Sequence, residues 1–67
     1  MDSVFPNIDS ELKKRKLHYR DLARAAEMSE LQMYRRLRGH SKWQLVEAMK
    51  VCRFLDCYDI DTLFARR

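Results

Sequence analysis

LHYRDLARAAEMSELQMYRRLRG, residues 17–39, is the stretch that decides the fold. Two short amphipathic segments lie in it, separated by a break at Met28-Ser29. From about Tyr19 to Glu27 the apolar positions are Leu22, Ala23 and Ala26, at helical spacing. Ala23 and Ala26 are small enough to let another helix approach closely. Ser29, with Gln32 three residues on, has the form of a capping box and opens the next helix. In that helix Met33 and Leu37 stand at i and i+4 and should face a core. It stops at Gly39, the only glycine in the chain, a residue that adopts positive φ at little cost.

The pattern continues on both sides. Upstream, Pro6-Asn7 marks a helix start, with either Asn7 as N-cap or Pro6 in the first turn. Ile8 and Leu12 give that helix an apolar side, and Asp9 and Glu11 sit where the helix dipole favours acids. It should run to about Lys16, leaving residues 1–5 as a short leader. Downstream, His40-Ser41-Lys42 reads as a loop, with Ser41 as a candidate N-cap. A longer helix follows from Lys42 or Trp43 to Leu55, with Leu45, Ala48, Cys52 and Leu55 inward and Met49 and Val51 widening the stripe. Asp56 to Tyr58 forms a turn. Asp59 or Asp61 then caps a last short helix carrying Ile60, Leu63 and Phe64. The expected fold class is all-α: one compact domain over residues 1–67, with no repeat, linker or low-complexity segment.

Sixty-seven residues allow one domain with a limited core. A hydrophobic share of 46% with 36% charged residues suits a globular chain, and one glycine and one proline are too few for a sandwich or small barrel. No apolar run approaches the roughly 20 residues of a membrane span. The start, Met1 to Pro6, lacks the basic stretch and apolar core of a signal peptide, so a cytoplasmic location is expected. Cys52 and Cys57 fit reduced packing residues better than a disulfide framework. His18, His40, Cys52 and Cys57 lack paired metal-ligand spacing, and no metal site is expected. With no glycine-rich phosphate loop and no histidine near a nucleophile, the chain reads as a non-enzyme without cofactor or small-molecule ligand.

Charge is unevenly placed. The net value is +4, but between Lys13 and Lys42 ten bases stand against three acids. Residues 1–12 carry acids only, and residues 43–67 are balanced. A confined basic stretch is the footprint of a polyanion-binding surface, or equally of a solvated face. The stretch also contains the two short helices and their turn. Such a pair can set its second helix into a DNA major groove while the first crosses the backbone. A small residue at the crossing (Ala23), apolar anchors on the second helix (Met33, Leu37) and a polar outer face (Glu30, Gln32, Arg35, Arg36, Arg38) complete the requirements.

On these residues, with Pro6-Asn7-Ile8 before them and Trp43 and Asp59 to Phe64 after, the chain resembles the phage Cro and lambda-repressor-like, or XRE-type, helix-turn-helix family. The likeness is nearest to short regulators from phages and mobile elements of Gram-positive bacteria. It implies a five-helix domain, double-stranded DNA as partner and a regulator, in the first instance a repressor. By position it implies base reading by Glu30, Leu31 and Arg35; periodicity turns Tyr34 outward beside them as a fourth candidate. Tyr19, Ser29, Arg38, His40 and Lys42 are implied to meet the DNA backbone, and the charge of Arg20 adds it to that set. The family's usual glutamine at the start of its second helix is Tyr19 here, and the usual glycine in its turn is Glu27. Arg35 suits guanine, Glu30 cytosine and Leu31 a thymine methyl; the backbone contacts fix register.

Several alternatives stay open on sequence alone. Arg35 and Arg36 can be solvated or paired with Glu30 or Glu47. Glu30 can serve the helix dipole instead of a base. Tyr34 is either a groove contact or surface filler, and Lys13 to Lys16 either a helix end or a flanking phosphate contact. Trp43 reads as core. Because single modules bind weakly, a weak homodimer, formed either in solution or only on DNA, is the expected assembly. A rival function is a protein-interaction or antitoxin-like module using an apolar patch near Val4-Phe5 or Leu63-Phe64.

Overall fold

The computed structural model describes residues 3–57 and 59–67. Among the described residues there are five helices and no strand: α1 (Pro6–Arg15), α2 (Tyr19–Ala25), α3 (Glu30–Leu37), α4 (Leu45–Phe54) and α5 (Ile60–Leu63). Tyr58, part of the expected turn, lies outside the described residues. No helix is long and apolar enough to cross a membrane.

Each start has an identifiable cause. Pro6 occupies the first turn of α1, where its missing N–H costs nothing, while Asn7 donates to the Thr62 carbonyl at 2.7 Å and ties α1 to α5. Ser29 caps α3: its Oγ accepts from Gln32 N at 3.1 Å, and Gln32 Oε1 accepts from Ser29 N at 2.9 Å. Asp59 caps α5 through Thr62 N. The start of α4 departs from expectation. Its N-cap is Gln44, not Ser41, and the Glu47 carboxylate accepts the Gln44 N–H at 3.0 Å.

The ends of α1 to α4 share one device. At Lys16, Glu27, Gly39 and Asp56 the backbone is left-handed, with φ of 58°, 59°, 80° and 55°. In each case the following N–H reaches back to the carbonyl five residues before it: Leu17 to Leu12, Met28 to Ala23, His40 to Arg35 and Cys57 to Cys52, all at 2.8–2.9 Å. This closure satisfies carbonyls that the helix would otherwise leave unpaired. Glu27 therefore does with a side chain what glycine does more easily.

The core is drawn from all five helices. Ile8, Leu22, Met33, Leu37, Val51 and Leu55 are fully enclosed, with Leu12, Ala23, Ala26, Cys52 and Leu63 around them. Phe5, Trp43 and Phe64 add a cluster of edge-to-face rings with centroids 4.8–6.2 Å apart, so Trp43 is a packing residue. Its indole N–H has no acceptor among the described residues. Both cysteines are free, and burial is the main cause that raises each thiol pKa.

Residues 3–5, ahead of α1, pack against the rest of the domain. Ser3 and Phe5 are buried, Val4 N donates to Leu37 O at 2.9 Å, and Arg67 N donates to Val4 O at 3.0 Å. Leu45 is not part of the inner stripe of α4; it is 70% exposed. It keeps the period of Ala48 and Cys52 but stands at the first position of the helix, beyond the neighbours that cover them. Met49 is likewise exposed.

Candidate nucleic-acid interface

Helices α2 and α3 are joined by Ala26 to Ser29, held by the Met28-to-Ala23 hydrogen bond at 2.9 Å. Ala23, buried in the pair, has no side chain beyond Cβ to keep them apart. Met33 and Leu37 anchor α3 from within. With those two positions fixed, the helical period decides what faces outward. Glu30, Leu31, Tyr34 and Arg35 are all exposed, and with them Ser29, Arg38, His40 and Lys42 around the helix ends. Arg20 is exposed on the neighbouring turn of α2. Nine of the ten expected site residues thus stand on accessible surface, and the tenth, Tyr19, is half-buried.

The cations divide into two kinds. The side chains of Arg20, Arg35 and Lys42 form no ion pair or hydrogen bond among the described residues. Arg36, counted above with the outer face, turns instead toward α4. Its Nε and Nη2 donate to the two Glu47 oxygens at 2.8 and 3.0 Å, and only 14% of each side chain is exposed. The two-point geometry fixes the guanidinium plane as well as its position. Burial pushes the Glu47 carboxyl up, but the Gln44 N–H and Arg36 outweigh it and hold the group below its ordinary value.

Tyr19 is engaged within the fold. Its hydroxyl donates to Asp9 Oδ1 at 2.9 Å, so its proton is already committed within the fold. The other Asp9 oxygen accepts from Ser3 N at 2.8 Å and lies 3.5 Å from Arg67 Nη2. Tyr19 therefore braces α2 against α1 and the chain's end. Glu30 lines a cleft with Lys13, His18, Tyr19, Arg20 and Arg67. Arg67 is the residue that sequence reasoning missed. It reaches this cleft from the far end of the chain, and no local pattern signals that.

The arrangement is an exposed, polar helix face flanked by exposed cations, suited to a groove edge and the phosphates beside it. A family model, that of the Cro/C1-type HTH DNA-binding domain, matches residues 7–66. No curated protein and no solved structure matches the chain.

Proposed function

The chain belongs to the Cro/C1-type HTH DNA-binding domain family, and from that premise we propose that it is a transcriptional repressor from a phage or mobile element, reading a double-stranded operator with α3. DNA binding by a transcription regulator comes with the family. The finer reading is supported above all by one observation: Met33 and Leu37 are fully enclosed while Glu30, Leu31, Tyr34 and Arg35 project outward on the next faces of the same helix.

In this reading Arg35 pairs with guanine through its two-pronged guanidinium. Glu30 accepts from cytosine or serves the α3 dipole, and Leu31 meets a thymine methyl. Tyr34 lies along the groove wall. Arg20, Ser29, Arg38, His40 and Lys42 set register on phosphates without reading sequence. Two copies occupy one operator as a weak dimer.

The interaction-module alternative loses the patch on which it was based: Phe5 and Leu63 are buried, and Val4 and Phe64 are half-buried against the core. Selection of binding sites from a random duplex pool tests the proposal. It predicts enrichment of one short motif. A pool that shows no sequence preferred over bulk DNA rejects it.

A further inference from the structure

The stop of α4 sets the chain's two cysteines in a particular relationship. Asp56 is its left-handed residue, at a φ of 55°, with Cys52 four residues before it and Cys57 directly after. Asp56 N donates to Arg53 O at 3.2 Å and Cys57 N to Cys52 O at 2.9 Å, the two bonds of a Schellman closure. That closure commonly brings together the side chains at its first and last positions. At the ends of α1 and α2 the same two positions hold Leu12 with Leu17 and Ala23 with Met28. In both pairs the first residue is buried in the core and the second packs against it, and Cys52 and Cys57 repeat that arrangement. We infer that Cys52 and Cys57 are an oxidisable dithiol, a modification site at which a hydroperoxide closes a disulfide across the end of α4 while the fold is kept. This chemistry goes beyond the DNA-reading role and does not depend on it.

The backbone bond bounds the geometry. Standard carbonyl and amide dimensions, with an N···O distance of 2.9 Å, keep the two Cα atoms within about 6.8 Å of each other. Disulfides span Cα separations of about 4.4–6.8 Å. The approach that a bridge needs is therefore present before the bridge forms, and closure asks mainly for side-chain rotation. Cys57 Sγ donates to Leu55 O at 3.5 Å, a weak bond that is readily given up. Burial raises both thiols and leaves little thiolate, so closure is a slow reaction at neutral pH.

Access sets the order of events. Cys57 is half-buried and lines an opening with Asn7, Glu11, Asp59 and Thr62, whereas Cys52 is buried. With hydrogen peroxide, the Cys57 sulfur attacks one oxygen and the O–O bond breaks. The released hydroxide takes the Cys57 proton and leaves as water, and Cys57 becomes a sulfenic acid. The Cys52 sulfur then attacks the Cys57 sulfur. An S–S bond forms, the S–O bond breaks, and the hydroxyl leaves with the Cys52 proton as a second water. The two sulfurs together lose two electrons, and one peroxide is reduced. Cys52 sits beside the sulfenic acid from within the core, so the bridge closes inside one chain.

The test treats the full, folded chain with hydrogen peroxide. The intact monomer should lose about 2 Da, and both thiols should resist alkylation until a reductant is added. Arg53 lies between the two cysteines, so trypsin should release residues 51–53 joined to residues 54–66. Because the bridge links positions that the fold already holds together, it restrains chiefly the unfolded chain. The oxidised monomer should therefore melt at least about 4 °C above the reduced one. Cys57→Ser leaves the buried Cys52 in place and should show neither the mass loss nor the rise in Tm. Disulfide-linked dimers as the main product would overturn the inference. So would thiols that stay open to alkylation or go only to separate sulfinic acids, and so would a bridge that lowers Tm.

Discussion

Arg36 on α3 and Glu47 on α4 are joined by two hydrogen bonds, 2.8 and 3.0 Å long, while Glu47 Oε1 also accepts the Gln44 N–H at 3.0 Å. One carboxylate therefore starts α4 and holds α3 against it. Removing it leaves a largely covered guanidinium without its partner and an uncapped helix. Glu47→Ala should cost about 1–3 kcal/mol, read as a lower urea midpoint.

The same carboxylate sets a pH dependence. Its folded pKa lies below the ordinary 4.5, against the pull of burial, because of Gln44 and Arg36. The stability it confers is fully present above 4.5 and is lost as the pH falls from there through the lower folded value. Urea midpoints of wild type and Glu47→Gln should therefore differ at neutral pH and converge in acid. A residual slope will persist in the variant. Hydrogen bonds from Lys14 and Arg15 lower Glu11, and those from Thr62 lower Asp59.

On DNA, Arg35→Ala should relax preference at one base position and cost about 1–3 kcal/mol there. Lys42→Ala should weaken all sequences alike and lower the salt slope by about one. Competition binding against single-base variants of the selected motif, repeated at several salt concentrations, separates the two effects. An unchanged base preference in Arg35→Ala would remove Arg35 from the reading set.

Tyr19→Phe distinguishes a brace from a phosphate contact. Loss of the bond to Asp9 should destabilise the fold by about 0.5–1.5 kcal/mol. The salt slope of DNA binding should not change. A reduced slope with unchanged melting would mean that the hydroxyl serves DNA after all.

The left-handed helix ends make a prediction of opposite sign. A left-handed conformation costs an L-residue roughly 1–2 kcal/mol, partly offset by the greater freedom of glycine in the unfolded chain. Lys16→Gly and Glu27→Gly should each stabilise by about 0.5–1 kcal/mol, a rise of several degrees in Tm for a domain this size. Gly39→Ala should do the reverse. A Cβ there would meet Arg66 Nη2 at 2.7 Å, at a φ of +80°.

What the sequence made legible follows from how local each signal is. The cap at Ser29, the stop at Gly39 and the inward pair Met33 and Leu37 are written within a few residues of where they act. The stops at Lys16, Glu27 and Asp56 use the same geometry with residues that do not advertise it, so α2 was read two residues too long. Periodicity gave Leu45 a direction but could not say whether anything lay there to cover it. Arg36 looked like Arg35 until α4 placed Glu47 beside it. Tyr19 and Arg67 meet at Asp9 across nearly the whole chain, and no spacing rule reaches that far.

The tie between the chain's two ends bears on the order of events in folding. Four helices are punctuated by bonds that close over five residues, and such short loops form early. The segment at residues 3–5 instead lies between Leu37 O and the Arg67 amide, with Arg67 Nε on Ser3 O at 3.0 Å. Contacts so distant in sequence carry the largest closure entropy and should be the last made and first broken. A transient release of this clasp would unfasten the far end of α3 without melting the helices, giving that helix, in the proposed reading, its own low-cost mode of adjustment to a groove.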